Sequence, residues 1–503
     1  MTSSPRFSRR HFLLGSTTLG AFMATGVQSG ALAGPLKTSA SRTADRRFDP
    51  LLADLHHRTF RWFWEMARVT NGLVPDASPG QFFASIAAIG FALTAYCIGV
   101  KSGYVTRKTA AARTLLTLKT LWNIPQGPDP VAAGGHKGFF YHFLHMDSGL
   151  RYEHCDLSTV DSTILFLGAL TAAAFFDGDT PDEAEIRKLG IALYERADWT
   201  FFARENGLIS MGWHPETGLP DHDERGLINR NWDRYNEGMM VNLLALGSPT
   251  HPAGNWAAWM ATIDGTWGTN FGETYLGFSP MFGHQYSHIW FDFRGIADVY
   301  MRGKGIDYFI NSRRATYAQR NYAIKNPGGF KGYGPDAWGL TACLGPADIE
   351  LTVGQRTVQF HEYGARGPQT GDNESFDDGT IAPTAGITSI AFAPEISIPL
   401  IRSLHEKYGA DIYGDYGFAD AFNPTFPASY ETPTGRHTRR AGWVAKDCLG
   451  IDQGPILCMM ENYRSGLVWD LFNRSSVTGD IARRAFSHAG FEAVASTGKW
   501  LTA

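Results

Sequence analysis

The chain has 503 residues, of which 44% are hydrophobic and 19% charged, and its formal net charge is −4 at pH 7. It is long enough to bury a large core. Its mildly acidic balance argues against nucleic acid or an anionic membrane surface as a partner, because both bind clustered Lys and Arg. We therefore expect a neutral substrate. The five cysteines lack C-x-x-C spacing, and several lie in apolar runs, which favours buried free thiols while leaving one disulfide open.

The N-terminus has the features of an export signal. Ser8-Arg9-Arg10-His11-Phe12 is a twin-arginine signature, and an apolar stretch and the A-x-A site Ala31-Leu32-Ala33 follow it. The apolar stretch is too short and too rich in Gly, Ser and Thr to cross a bilayer, which takes about 20 apolar residues. We predict a signal peptide over 1–33, export to the periplasm or beyond, and no membrane insertion after cleavage.

The remainder of the chain reads as one large helical unit. No Pro- or Ser-rich linker divides it, so we predict a flexible segment over 34–47 and a single domain over 48–503. Apolar residues at helical spacing, separated by Gly and Pro, predict helices near 49–67, 83–100, 107–123, 159–176, 182–203, 234–246, 254–264, 285–302, 306–324, 384–407, 451–470 and 476–489.

Some of these helices are apolar on every side, which is typical of an inner layer covered by an outer amphipathic layer. The runs over 159–170 and 239–246 are examples. About a dozen alternating inner and outer helices predict an all-α fold of the (α/α)6 barrel type, with a pocket inside the inner ring. The stretch 340–383 differs, because Ile349–Val353 and 357–360 alternate like strands. We predict a long loop with a small β-hairpin there, and loops of this length are usually functional.

The strongest candidate for chemistry is Glu237 in Asn231-Trp232-Asp233-Arg234-Tyr235-Asn236-Glu237. It lies at the start of an apolar helix, and Trp232 and Tyr235 could form an apolar wall beside it. A general acid for glycoside cleavage must be protonated near neutral pH, so burial has to raise its pKa. The helix N-terminus opposes this by about 0.3–1 kcal/mol. The residues alone leave an ordinary helix-start glutamate equally open.

Other candidates have a structural interpretation beside the functional one. Asp161 follows Ser158 by three residues, which favours a helix cap and leaves sugar binding as the alternative. His284 and His288 are four residues apart on one helix face, but the glutamate of H-E-x-x-H is missing, so we predict no metal. Tryptophans in Gly/Pro-rich connectors, among them Trp213 and Trp338, suit either a sugar cleft or the core.

Several later carboxylates could activate a water molecule, and spacing does not decide among them. They are Asp377, Asp378, Glu395, Asp420, Asp452 and Glu461. The chain has no G-x-S-x-G, P-loop or dinucleotide-binding motif, so a serine hydrolase or a nucleotide-dependent enzyme is unsupported.

A run of segments in chain order resembles a known family. They are Gly72-Leu73-Val74, Ala87-Ala88-Ile89-Gly90-Phe91, Gly138-Phe139-Phe140-Tyr141-His142-Phe143, Ser158-Thr159-Val160-Asp161, Tyr235-Asn236-Glu237, Ser248-Pro249-Thr250-His251, Gly283-His284-Gln285-Tyr286-Ser287-His288, Asp307-Tyr308-Phe309-Ile310-Asn311-Ser312, Trp338-Gly339-Leu340, Asp378-Gly379-Thr380, Ile451-Asp452-Gln453-Gly454-Pro455 and Glu461-Asn462-Tyr463-Arg464. From about residue 50 to 490 the chain is similar to glycoside hydrolase family 144, the bacterial β-1,2-glucanases with a glucoamylase-like domain.

The resemblance implies an (α/α)6 barrel, an inverting mechanism without metal or cofactor, and a β-1,2-linked glucose polymer as substrate. It makes Glu237 the general acid and Asp161 a sugar contact. We choose Asp420 as the base, because it follows Gly-Phe in a loop that should face the pocket mouth, and Asp452 is second. Relatives usually have Glu-Leu-Ser before the aspartate, whereas Asp156-Leu157-Ser158 stands here, which puts subsite contacts and chain-end preference in doubt.

The predicted substrate-binding set collects the matching segments and the connector tryptophans. Its members are Asp161, His142, Trp213, Trp232, Tyr235, His284, Gln285, His288, Trp338, Asp378 and Glu461. We favour endo-type cleavage by a monomer. Two alternatives stay open. One is a transglycosylase or a glycosidase for another linkage, and the other is a periplasmic protein that binds glycans without cleaving them.

Overall fold

A computed structural model describes residues 46–79, 82–368 and 376–494. The predicted signal peptide over 1–33 and most of the segment 34–47 lie outside these residues. Within them, the helices are α1 (Pro50–Met66), α2 (Ile86–Lys101), α3 (Arg107–Asn123), α4 (Thr159–Phe175), α5 (Pro181–Glu195), α6 (Gly238–Gly247), α7 (Asn255–Ile263), α8 (Phe282–Gln285), α9 (Ser287–Trp290), α10 (Val299–Lys304), α11 (Tyr308–Lys325), α12 (Pro383–Thr388), α13 (Pro394–Ile412), α14 (Gly450–Arg464), α15 (Leu467–Arg474) and α16 (Gly479–His488). The mostly helical fold predicted from the sequence is confirmed.

Local capping explains where many helices begin. The Asp49 side chain accepts a hydrogen bond from the backbone N–H of Leu52, and Pro50 occupies the first turn of α1. Ser85 caps α2 and Ser158 caps α4 in the same way. Side-chain caps satisfy N–H groups that the first helical turn leaves without partners.

A predicted helix over 182–203 ends early, since α5 stops at Glu195 and a 3-10 turn follows over Trp199–Phe202. Three further predicted helices are interrupted. The segment 285–302 divides into α8, α9 and α10, because the backbone becomes extended at Phe291 and Asp298 caps a new helix. The segment 384–407 breaks before Pro394, whose ring excludes a continuous helix. The segment 451–470 breaks at Gly466, which has a φ of 73°. Apolar periodicity continues through all three breaks, so it could not reveal them.

The helices form two layers. Among the inner helices, α2 packs on α4, α4 on α6, α6 on α9, and α12 on α14, and α14 returns to α2. Gln285 at the end of α8 donates a hydrogen bond to the carbonyl of Ala385 in α12, at 2.7 Å. The inner helices therefore form a closed ring. Helices α1, α3, α5, α7, α11 and α13 pack outside it.

Short strands lie in the segments that connect or follow the helices. They are β1 (Ala77–Ser78), β2 (Phe83–Ser85), β3 (Gly135–His136), β4 (Phe139–Phe140), β5 (Phe143–His145), β6 (Leu157–Ser158), β7 (Gly212–Trp213), β8 (Trp267–Asn270), β9 (Glu273–Leu276), β10 (Ile296–Ala297), β11 (Ala342–Leu344), β12 (Ile349–Val353), β13 (Arg356–Phe360), β14 (Tyr363–Ala365), β15 (Tyr413–Gly414), β16 (Gly417–Phe418), β17 (Phe422–Asn423), β18 (Gly435–Thr438), β19 (Gly442–Ala445), β20 (Cys448–Leu449) and β21 (Glu492–Ala493). β12 and β13 form the hairpin predicted within 340–383. All five cysteines are free, and Cys97, Cys343 and Cys458 are buried as expected.

The connections make the two ends of the ring unequal. Segments that lead from an outer helix into an inner helix are long: 67–85, 124–158, 196–237, 264–281, 326–382 and 413–449. Most segments that leave an inner helix are short, such as 102–106, 176–180 and 389–393. Every inner helix therefore begins at the end that carries the long loops, and we call this the long-loop end.

Candidate active site

A cavity opens at the long-loop end of the ring. Its empty volume is about 970 Å³, including space open to solvent, and its walls are largely apolar. Its lining comprises His142, Val160, Asp161, Ile164, Met211, Ile228, Arg230, Trp232, Glu237, Phe282, Tyr286, Ala342, Tyr363, Ala365, Ile451 and Asp452. Three carboxyl groups, from Asp161, Glu237 and Asp452, thus share one apolar cavity.

Glu237 occupies the N-cap position of α6 and is only 6% exposed. Its surroundings are fixed locally. The Asn236 side chain accepts a hydrogen bond from the backbone N–H of Gly238 at 2.8 Å, and Trp232 donates from Nε1 to Thr159 Oγ1 at 2.8 Å. A Cβ at position 238 would lie 2.6 Å from the Trp232 ring, so only glycine lets the helix begin there. Glu237 is therefore held in the cavity wall beside an anchored indole.

Asp161 takes part in the cap of α4 and also lines the cavity. Its backbone N–H donates to Ser158 Oγ at 3.1 Å, which is a helix cap, and the Ser158 hydroxyl donates to its carboxylate. At the same time its side chain lines the cavity. His142 Nε2 lies 3.7 Å from Asp161 Oδ1 and its Nδ1 lies 3.8 Å from Asp156 Oδ1. The imidazole therefore lies between the carboxylates of Asp156 and Asp161 at the cavity wall.

Asp452 stands in the first turn of α14 and is 6% exposed. Its backbone carbonyl accepts a hydrogen bond from Thr384 Oγ1 at 3.0 Å, and the neighbouring carbonyl of Ile451 accepts one from Tyr286 at 3.2 Å. These bonds fix the start of α14 against α12 and α8. Asp161, Glu237 and Asp452 all lie at N-termini of inner helices, where each helix favours negative charge by about 0.3–1 kcal/mol.

Asp420, the base predicted first from the sequence, lies beside the cavity and not among its lining residues. It is 4% exposed, and its Oδ2 accepts a hydrogen bond from the backbone N–H of Leu344 at 2.8 Å. Ala342, in the same strand β11, lines the cavity. The role of Asp420 as the base therefore stays a prediction, and one of its carboxylate oxygens is bound to the backbone of β11. Asp452, the second choice, lies in the lining.

Several predicted sugar contacts form the core instead. Trp338 and Tyr235 are fully buried, and Tyr235 stacks on Tyr308. Trp213 lies outside the cavity lining, stacks on His136 and donates from Nε1 to the carbonyl of Arg225 at 2.7 Å. These predictions are corrected to packing roles. An aromatic residue in a Gly-rich connector carries no sign of which way its ring turns.

The histidine segment is also structural. His288 Nε2 hydrogen-bonds Ser312 Oγ at 3.0 Å, and His284 Nε2 lies 3.0 Å from the carbonyl of Phe278. Burial lowers the pKa of each imidazole to about 3, so both are neutral. Gln285 donates to Ala385 and to Ser389 Oγ. This segment joins α8 and α9 to the neighbouring helices, which corrects the predicted sugar-binding roles of His284, Gln285 and His288.

Asp378 and Glu461 are buried in ion pairs. Asp378 pairs with the fully buried Arg366 at 2.7 Å. Glu461 pairs with Arg464 at 2.7 Å and lies 3.3 Å from His56 Nε2, near the end of α14 farthest from the cavity. Burial alone would raise the pKa of Glu461, but the hydrogen bond to His56 and the charge of Arg464 hold it below its ordinary value. Neither residue lines the cavity, which corrects both substrate-binding predictions.

Sequence reasoning missed much of the lining. Apolar and aromatic positions such as Met211, Phe282 and Tyr286 carry no chemical signature, and Arg230 and Tyr363 lie in loops without a regular pattern. A weak signal was available for two of them. Phe282 and Tyr286 flank the histidine segment quoted above, at the start of an inner helix.

Comparison with known proteins adds the family context. A family model named Glycoamylase and described as "Putative glucoamylase" matches residues 229–476. An exo-β-1,2-glucooligosaccharide sophorohydrolase acting at the non-reducing end, from Parabacteroides distasonis, is 27% identical over 470 residues, which cover 87% of this chain. The chain spans 58% of the length of that curated relative.

Solved structures show the same fold. A "putative glucoamylase" from Bacteroides uniformis has a TM-score of 0.72 and 29% identity, and the match covers 89% of this chain and 99% of that one. An endo-β-1,2-glucanase from Chitinophaga pinensis, in complex with sophorotriose and glucose, has a TM-score of 0.70 and 24% identity, with coverage of 88% and 98%.

Proposed function

We propose that the chain hydrolyses β-1,2-glucan with inversion at the anomeric carbon, and its similarity to the glucoamylase-like family model and to β-1,2-glucan hydrolases supports this. One observation carries the proposal. Three buried carboxyl groups from three inner helices line a single, largely apolar cavity. Inverting glycosidases need an acid and a base on opposite faces of the sugar, with room between them for water.

Glu237 is the proposed general acid. Its near-complete burial beside Trp232 disfavours the charged carboxylate and thereby supports a protonated form. In the reaction Glu237 gives its proton to the glycosidic oxygen as the bond to the anomeric carbon breaks. A water molecule attacks that carbon from the opposite face, and its proton passes to the base.

Asp420 is the proposed base, acting through an intervening hydroxyl because β11 lies beside it. Asp452 is the alternative for direct activation, and its place in the lining supports it. Replacement of each by Asn separates the two. Loss of the base should lower kcat by about 10²–10⁴-fold, whereas loss of a sugar contact should act mainly on KM. If Asp452→Asn removes turnover and Asp420→Asn does not, the base is Asp452.

Further features of the proposal concern architecture and location. The closed inner ring and its outer layer support an (α/α)6 barrel. The twin-arginine signature at Arg9 and Arg10 supports export to the periplasm or beyond. We propose a monomer with endo-type cleavage, although the sophorohydrolase relative is exo-acting.

The decisive experiment incubates the mature protein with linear β-1,2-glucan, laminarin and starch. The proposal expects reducing ends from β-1,2-glucan alone, a rapid fall in polymer size, and α-anomers as first products. Release of a single short product from the outset would indicate exo-type cleavage. Longer products than the starting material would indicate a transglycosylase. Binding of glucan without reducing ends at any pH would overturn hydrolysis and favour a glycan-binding protein.

A further inference from the structure

A chain of aromatic rings leads from the cavity to the protein surface. His142, in the cavity lining, stacks on Phe143 with ring centroids 3.9 Å apart. Phe143 meets Phe83 edge-on at 4.6 Å, and Phe83 stacks on Tyr152, also at 4.6 Å. We call Phe83, Phe143 and Tyr152 the aromatic platform.

The backbone explains why these rings lie together. β2 and β5 pair antiparallel, with Phe83 opposite His145 and Ser85 opposite Phe143. Residues directly opposite each other share a face of the ribbon, and diagonal neighbours on that face contact each other. Tyr152 joins them because its backbone N–H donates to the carbonyl of Phe143 at 3.0 Å. Ser85 caps α2, so the platform is tied to the start of an inner helix.

Two of the three platform rings reach the protein surface. Phe143 is buried, but Phe83 and Tyr152 are only half-buried, and His145 is exposed. The adjoining Phe82 is 81% exposed, the highest value among the large hydrophobic residues of the described chain. Aromatic rings held rigidly at the surface and contiguous with a cavity are typical of a binding surface.

From this continuity we propose that the aromatic platform is a remote subsite, which binds glucose units of a long β-1,2-glucan that extend out of the cavity past His142. The inference rests on the proposed function. Apolar faces of sugar rings stack on aromatic rings without charge complementarity, and none of the platform rings carries a charge. The platform therefore favours long chains over short oligosaccharides, whose units are all held in the cavity.

The test replaces the rings while keeping the side chains apolar. Phe83→Leu and Tyr152→Leu are compared with the wild type on sophorotriose and on long linear β-1,2-glucan. The ratio of kcat/KM on the polymer to that on sophorotriose should fall about threefold to tenfold, the scale of one aromatic contact. Tyr463→Leu is the matched control, because Tyr463 is half-buried and stacked on Phe48 at the opposite end of the ring. Its ratio should equal that of the wild type.

A binding measurement separates the inference from the proposed function. In Glu237→Gln, calorimetry should show affinity that rises with oligosaccharide length, and the added Phe83→Leu change should abolish that rise. In one outcome the wild type cleaves the polymer, while the platform variants show the same kcat/KM ratio and the same rise of affinity with chain length. That result would overturn the remote subsite and leave the proposed hydrolysis standing. A wild type that releases no reducing ends overturns hydrolysis, and calorimetry still tests the platform. Absence of glucan binding overturns both.

Discussion

At the long-loop end of the ring, the buried carboxyl groups of Asp161, Glu237 and Asp452 line a cavity. At the opposite end of the ring, which we call the short-loop end, buried carboxyl groups pair with basic side chains. Glu461 pairs with Arg464, and Asp292 pairs with Arg294 and Arg474. The acidic side chains at the two ends are buried to a similar extent. What differs is the connection between helices, because a long loop leaves space between helix ends and a short one closes it.

The difference has an electrostatic side. All inner helices begin at the long-loop end, so their N-termini favour negative charge around the cavity. Their C-termini face the other end, where Arg464 lies in the last turn of α14. The ring therefore stabilises an ionised base at one end and basic residues at the other. As the proposed general acid, Glu237 must hold its proton against this field, and its burial favours the protonated form.

The largest effect is expected from Glu237→Gln, which tests whether the carboxyl groups at the long-loop end carry the chemistry. The variant keeps the shape of the side chain but cannot donate the proton, so kcat on β-1,2-glucan should fall by about 10²–10⁴-fold. Thermal unfolding followed by circular dichroism should differ little from that of the wild type. Near-normal turnover in a folded variant would reject Glu237 as the acid.

The same substitution at the opposite end, Glu461→Gln, should have the converse effect. It removes the charge that pairs with Arg464 inside the protein, so the free energy of unfolding should fall by about 1.5–3 kcal/mol, the scale of a hydrogen bond to a charged group. The kcat of the folded enzyme at a permissive temperature should match that of the wild type. Urea unfolding and initial-rate assays measure the two effects. A loss of turnover without a loss of stability would place Glu461 in the catalytic machinery.

A smaller effect, on the free energy of unfolding, is expected from Gly90→Ala in the contact between the inner helices α2 and α4. A Cβ at Gly90 would lie 2.4 Å from the carbonyl oxygen of Ile164, and one at Gly168 would lie 2.0 Å from the carbonyl of Gly90. Helices α2 and α4 thus touch backbone to backbone. Overpacking there should cost about 1–3 kcal/mol in unfolding free energy. Gly303→Ala is the matched control, because no neighbouring atom lies within 4 Å of a Cβ at that position. Gly103 is equally open, but its positive φ would strain an alanine. A cost at Gly90 no larger than that of Gly303→Ala would contradict the contact.

The last effect is confined to a pH window. Burial raises the pKa of Asp377 to about 6, although Tyr333, the N–H of Gly379 and Tyr322 donate hydrogen bonds that lower it. Between about pH 4 and pH 6 the folded state therefore binds this proton more tightly than the unfolded chain, so stability falls as pH rises through that window and levels off above it. In Asp377→Asn this fall should disappear. Urea unfolding at intervals across the window tests it, and an unchanged slope would contradict it.

The helices were predictable because capping and periodicity act over a few residues. The bounds of α3 agree with the predicted 107–123, and Ser158 and Asp161 form the expected cap of α4. The hairpin of β12 and β13 followed from alternation alone. A carboxylate beside Trp232 at the start of an apolar helix singled out Glu237 as a candidate, and the family resemblance made it the predicted general acid. The breaks inside 285–302 and 384–407 left no trace in the periodicity.

By itself, then, the sequence determined the helical content, the caps and the inner layer, because neighbours along the chain decide each of them. Only the tertiary structure decided that Asp452 enters the cavity lining while Asp420 binds the backbone of β11, and that Trp338, His288 and Glu461 are buried outside that lining. Those outcomes depend on which way a side chain turns between helices far apart in the chain. Local pattern does not encode that direction, whereas close packing of the two layers allows only one.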